Sequence, residues 1–349
     1  MIIVSNHKKF FFLHIPKSAG RSVAQALARY DDLSSDDVFS NLRLKHETAR
    51  ILRGVDENRF EKYLTFCFVR NPWDRLVSWY FYEKKNQHGF RSVFLRFEDF
   101  VHYLDQAWEF IKLQKDYGIY RIMNDPYVIP LPQTDFVLDS KNRLMVDYIG
   151  RFENINEDFR QLMDILNLKT ELPYVNKTAH ANYQEYYTER TRDIVGKCFQ
   201  KEIDFWSYQY DGENTPVLHR SERFRQLEDA RSKLRNGQCE EAEKICQPML
   251  TSSLGYLADK MLAQIYFEQE KYTECVECSL RVVEKDPEDM DGWLLLLKSS
   301  SLLDNRTLFN RALVQLEIHA GMALTSLTSK RLWLFGKKAR QKNRLTDLF

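Results

Sequence analysis

Phe10-Phe11-Phe12-Leu13-His14-Ile15-Pro16-Lys17-Ser18-Ala19-Gly20-Arg21-Ser22 is the stretch that decides the fold. Its apolar opening has the length and composition of a buried strand, and Val23 to Ala28 behind it are helix formers. Between them sits a short turn of a lysine, small residues and hydroxyls. A strand, a tight turn and a helix start bring unpaired backbone amides, the positive end of a helix dipole and the Lys17 ammonium to one spot, a cradle for phosphate or a close analogue. A Walker loop needs G-x-x-x-x-G-K-[ST], whereas Lys17 precedes Gly20, and the Walker pattern occurs nowhere in the chain.

A second segment repeats the arrangement. Tyr63-Leu64-Thr65-Phe66-Cys67-Phe68-Val69 reads as a strand and ends in Arg70-Asn71-Pro72, with a helical pattern from Trp73 to Glu83. Pro72 suits the first turn of a helix and not a central strand, so Arg70 falls at a strand's carboxyl end and Ser78 about two turns into the helix. Taken singly, Lys17 also reads as a solvated loop cation, and Arg70 and Ser78 as a strand-end charge and a polar helix face. Two strand-to-helix junctions in this order make coincidence a poor explanation, because open α/β sheets bind ligands at strand carboxyl ends.

The first junction resembles the 5'-phosphosulfate loop of carbohydrate-type sulfotransferases, HIPK[ST]xG[TR]S, and the second their 3'-phosphate motif, FVRNPWDRLVSxY. Pro132-Gln133-Thr134-Asp135-Phe136, Asp147 to Asn154 and Leu172 to Thr178 are similar to further segments of that family. The resemblance implies 3'-phosphoadenosine 5'-phosphosulfate (PAPS) as donor and PAP as product. Lys17, Ser18, Ala19, Gly20, Arg21, Ser22 and Val23 would hold the 5' side, and Arg70 and Ser78 the 3'-phosphate. Arg21 departs from the family's usual Thr, which leaves its side chain either clamping phosphate or facing solvent. Relatives carry a K-H-x-T segment similar to Lys45-His46-Glu47-Thr48-Ala49, which implies His46 as the base that deprotonates the acceptor. Without that resemblance His46 is a surface histidine at a helix start. Lys17 would stabilise the leaving phosphate, and Lys177 would contact donor or sulfate from a loop before the last helix. His14 is read as bracing the loop, and His180 is an outside candidate. Gln133 and Thr134 either line the acceptor cleft or are polar strand-end residues, and Asp74 and Arg75 are read as structural ion-pair members.

The expected first domain is α/β, a P-loop-like three-layer module with a mainly parallel sheet over residues 1–210. Within it Arg91 to Asp105 has helical spacing, Asp135 to Leu138 and Leu144 to Phe152 read as strand, turn, strand, and Tyr186 to Phe205 reads as a closing helix. A linker over 211–219 follows, then an all-α helical-repeat domain over 220–349. There Gly237 to Ala242 and Lys271 to Cys275 recur at the roughly 33- to 34-residue offset of tetratricopeptide-like repeats, with Asp286-Pro287 and Trp293 as a further boundary and Leu294 to Met322 as a degenerate third unit. That domain is read either as an appendage completing the fold or as a docking surface for a protein partner or the acceptor.

Composition narrows the partners. The 349 residues carry a formal net charge of +1, which offers no global footprint for nucleic acid. No apolar run approaches the roughly 18 residues of a membrane span, and the early phosphosulfate loop leaves no room for an anchor, so a cytoplasmic enzyme is expected. The basic end Lys330 to Arg344 reads as a membrane-surface or acidic-glycan contact, or as a solvated helix face. The six cysteines form no disulfide framework, and Cys275-x-x-Cys278 is read as buried thiols and not as a metal site, so no metal is expected. The acceptor implied is a carbohydrate hydroxyl. Two other functions remain open: a small-molecule kinase, and a noncatalytic helical-repeat interaction protein with a relic nucleotide fold.

Overall fold

The computed structural model describes residues 2–41, 48–86, 93–116, 131–166, 168–173, 181–211, 219–252 and 254–320. His46, Lys177, Thr178, His180, residues 212–218 of the linker and the basic segment 330–344 lie outside these. The chain forms two compact units, one built on residues 10–60 and 64–221 together with the first strand, the other mainly on residues 222–349.

The first unit is organised by a five-stranded sheet whose spatial order follows the chain: β1 (Ile3–Ser5), β2 (Phe10–Leu13), β3 (Leu64–Val69), β4 (Tyr148–Arg151) and β5 (His219–Arg220). β2, β3 and β4 run parallel, with β1 and β5 antiparallel at the two edges. Every residue of the three parallel strands is buried, as a sheet covered on both faces requires. Phe11 packs edge-on against Phe39, while Phe12 meets Phe66, and Phe68 reaches Phe159 of the covering helix Ile155–Leu166. Leu13 is opposite Cys67 and Val69 opposite Arg151, so the chain leaves all three parallel strands at the same edge of the sheet.

Four elements differ from the sequence reading. Thr134–Val137 is a helical turn, and only Leu138 makes a strand contact, a single bridge to Leu144. Pro132 and Gln133 start that turn, their carbonyls accepting from the Asp135 and Phe136 amides at 3.1 Å each. All four residues of the turn are buried, so no alternation marks its type. The expected strand from Leu144 shortens to Tyr148–Arg151. The closing helix is two, Glu189–Cys198 and Gln200–Trp206, broken at Phe199 (φ −104°, ψ 20°), whose buried ring packs on Trp108. Phe97–Asp116 is helical, longer at its carboxyl end than the apolar spacing of Arg91 to Asp105 indicates, and residues 87–92 lie outside the description.

In the second unit six helices, Glu222–Arg235, Cys239–Met249, Gly255–Glu268, Tyr272–Lys285, Met290–Leu302 and Arg306–Ala320, each pack on the next. Gly237, Glu270 and Asp304, spaced 33 and 34 residues apart, all take left-handed backbone. The amide of the residue after each one, Gln238, Lys271 or Asn305, reaches back five residues to the carbonyl of Lys233, Tyr266 or Ser300, at 2.8 to 2.9 Å. This is one helix-terminating turn used three times.

All six cysteines are free. Among the described residues no cluster could hold a metal ion, and no helix is long and apolar enough to cross a membrane.

Candidate active site

The two strand-to-helix junctions meet at the carboxyl edge of β2 and β3. After β2 the chain turns through His14 to Ala19 into the helix Gly20–Leu27. Lys17 (φ 67°) and Ala19 (φ 60°) are both left-handed, with Ser18 between them. Each costs an L-residue roughly 1 to 2 kcal/mol, so the surrounding contacts must hold the loop in shape. Gly20 is needed for closeness: a Cβ there would lie 1.7 Å from His14 Cδ2. The imidazole therefore packs against the loop, as expected of a brace. No hydrogen bond from the Ala19 side chain caps the helix start, and the Val23 amide donates to the Ala19 carbonyl at 3.2 Å.

Arg70 stands at the end of β3. Its Nε donates to Asp74 at 2.7 Å, its Nη1 to the Lys17 carbonyl at 3.3 Å, and its guanidinium lies 3.9 Å above the Phe152 ring. Ser78 is buried further along the same helix, Pro72–Asn86. The Lys17 ammonium rests over the Tyr82 ring at 4.1 Å, with the Arg21 guanidinium 5.9 Å from that ring. Arg21 thus shares a platform with Lys17. Burial brings the Lys17 pKa down to about 8, and the charges of Arg70 and Arg21 press the same way while Glu83 opposes them.

Gln133, read as either an acceptor-cleft or a polar strand-end residue, joins the two junctions. It is completely buried. Its Oε1 accepts from the Arg70 amide at 2.9 Å and the Ser18 hydroxyl at 3.2 Å, while its Nε2 donates to the Arg70 carbonyl at 2.8 Å and to Glu202 at 3.2 Å. The Gln133 amide donates to the other Glu202 oxygen. Thr134 is buried likewise, its hydroxyl without a partner. Arg75, expected as an ion-pair member, binds backbone: its Nε and Nη1 donate to the Pro16 and Leu131 carbonyls, both at 3.0 Å. Asp74 is the ion-pair member expected, holding Arg70.

Lys17, Ser18, Arg21, Arg70 and Ser78 are therefore placed on one loop-and-helix assembly, to which the structure joins Gln133 and Arg75 by hydrogen bonds and adds Tyr82 and Glu83. The helical spacing of Arg75 and Tyr82, seven residues apart, was the signal available for the last group. His46 and Lys177 lie outside the described residues. The model of the Sulfotransferase family matches residues 1–209. The chain belongs to this sulfotransferase family. The matched span contains both junctions and β1 to β4, so the first unit is a sulfotransferase domain, of the class that carries sulfotransfer. A protein of Archaeoglobus fulgidus described as uncharacterized is 34% identical over 133 residues, covering 38% of this chain and 91% of its own length. No solved structure matches the chain.

Proposed function

We propose that this sulfotransferase moves the sulfuryl group of PAPS onto a hydroxyl of a carbohydrate acceptor. The observation that carries the reading is the direct link between two cationic grips: Arg70 donates to the backbone of Lys17, and Gln133 binds the residues beside both. Two cations crowded at one sheet edge, with the Lys17 pKa lowered partly by Arg70, form a donor set that suits a nucleotide with anionic groups at both ends.

PAPS would supply an activated sulfuryl group and leave as PAP. The Lys17 ammonium and the amides of the Ser18 to Ser22 turn would hold the 5' side, and Lys17 would face the negative charge that grows on the departing oxygen. Arg70 and Ser78 would grip the 3'-phosphate, at roughly 1.5 to 3 kcal/mol per charge-assisted bond. His46 would take the acceptor proton, and Lys177 would contact the donor. No metal is required, because a lysine and oriented amides meet the charge. The helices after β5 would be a tetratricopeptide-like region that either completes the fold or docks a protein or the acceptor, in a cytoplasmic enzyme.

Calorimetric titration with PAP and with AMP tests the reading, followed by labelled PAPS against a panel of glycans, lipids and peptides. PAP binds more tightly than AMP, Arg70→Ala narrows that difference, and His46→Ala lowers the transfer rate about 100- to 10,000-fold. Equal affinity for the two nucleotides, or sulfation unchanged in both Lys17→Ala and His46→Ala, overturns it.

A further inference from the structure

The helix Pro72–Asn86 turns one face to the anion loop. Arg75 and Tyr82 lie seven residues apart on that face, Arg75 holding the Pro16 carbonyl and Tyr82 carrying the Lys17 ammonium on its ring. Glu83 comes next, turned inward and only 5% exposed. Its Oε2 is buried and accepts no hydrogen bond. A buried carboxylate oxygen without a donor is costly for a fold to keep, and this one lies within the electrostatic reach of Lys17.

We propose that Glu83 is a positioning residue for sulfotransfer: its carboxylate, acting through charge and not through a hydrogen bond, keeps the buried Lys17 ammonium protonated over Tyr82 until an anion takes it. The role assigned to Lys17 rests on the PAPS reading, whereas the Glu83–Lys17 coupling does not. The charged groups facing Lys17 among the described residues are Arg70 from the end of β3, Arg21 from the helix Gly20–Leu27, and Glu83 from the helix Pro72–Asn86. The two arginines and burial all favour the neutral amine, and Glu83 alone favours the cation. Because Lys17 makes its close contact with a ring face and not with the carboxylate, an arriving phosphate has no ion pair to break. A salt bridge in the same place would compete with the ligand.

Glu83 also explains why a carboxylate is tolerated beside an anion site. Burial pushes its own pKa up, while Lys17 draws it down. Replacing Glu83 by the neutral, equally sized glutamine removes the one opposing influence. The Lys17 midpoint, about 8 in the native chain, then moves to lower pH by about one unit.

The direct test is competitive acylation of Lys17, read by peptide mass spectrometry from pH 6 to 10 in the full chain and in Glu83→Gln. An acid shift of about one unit supports the proposal; an unchanged or higher midpoint overturns it, whatever nucleotide the protein binds. PAP titrations over the same range give a second readout. Relative to its own affinity at pH 6, Glu83→Gln loses PAP affinity at lower pH than the native chain does, whereas an affinity change with an unchanged pH profile marks a purely structural role and overturns the assignment. Glu83→Asp, with the carboxylate drawn back one methylene, shifts the midpoint less. Should the Gln variant not fold, an Asp variant titrating at or above the native midpoint overturns the proposal. Native protein that fails to prefer PAP over AMP defeats the donor reading alone, and the acylation result still decides the coupling.

Discussion

The Gln133 carboxamide pairs with the backbone of Arg70 in both directions, accepting from its amide at 2.9 Å and donating to its carbonyl at 2.8 Å. A side chain thereby supplies to the end of β3 the two bonds that a neighbouring strand would make. Gln133→Leu keeps the volume and removes every one of these bonds. It leaves the Arg70 amide and the Glu202 Oε1 buried without the bonds they make now, at about 1 to 3 kcal/mol each, while the backbone amide of residue 133 still donates to Glu202 Oε2. Denaturant unfolding reads that loss, and nucleotide titration shows both grips weakened together.

Arg75 is fully buried beneath the phosphate loop, and burial brings its pKa down to about 10 despite the attraction of Glu202. Its planar fork reaches two carbonyls on different segments, a geometry that an ammonium does not reproduce. Arg75→Ala strips those carbonyls of donors and leaves Glu202 without its cation, lowering stability by about 3 kcal/mol. Arg75→Lys recovers less than half of this in thermal or chemical unfolding.

Gly20 and His14 are coupled sterically. Gly20→Ala drives a methyl into the imidazole and costs roughly 1 to 3 kcal/mol. Paired with His14→Ala, the same change costs much less, and the double-mutant cycle measures the relief. Additive effects of the two substitutions would contradict this packing.

Glu202 sets a pH dependence. Burial raises its pKa from 4.5 to about 7, so the folded state holds this proton more tightly than the unfolded chain does. The contribution of Glu202 is therefore fully present below pH 4.5 and lost as the pH rises through about 7. Native protein loses stability across that window, and Glu202→Gln flattens this limb of the unfolding profile whatever its effect on the baseline.

The sequence exposes the junctions because their chemistry is local: an apolar run, a lysine or arginine at its end, then a helix start. Lys17 and Arg70 are readable for that reason, and the parallel centre of the sheet follows from the strand-helix alternation. The strut formed by Gln133 is not readable, since its partners lie 63 and 115 residues away and a lone glutamine carries no periodicity. The same holds for the helical turn at Thr134–Val137, which is buried on every side and shows no alternation. Glu83 carries no motif or spacing of its own in the sequence, and only burial distinguishes it. In the second unit Gly237 marks its turn in the sequence, whereas Glu270 and Asp304 make the same turn with residues that give no such sign.

The left-handed pair Lys17 and Ala19 has a kinetic consequence. Three anchors, from Arg75 to Pro16, from Arg70 to Lys17 and from Ser18 to Gln133, already hold the loop in this shape. On the PAPS reading an incoming anion would meet a loop already held in shape, and capture would slow as salt is added.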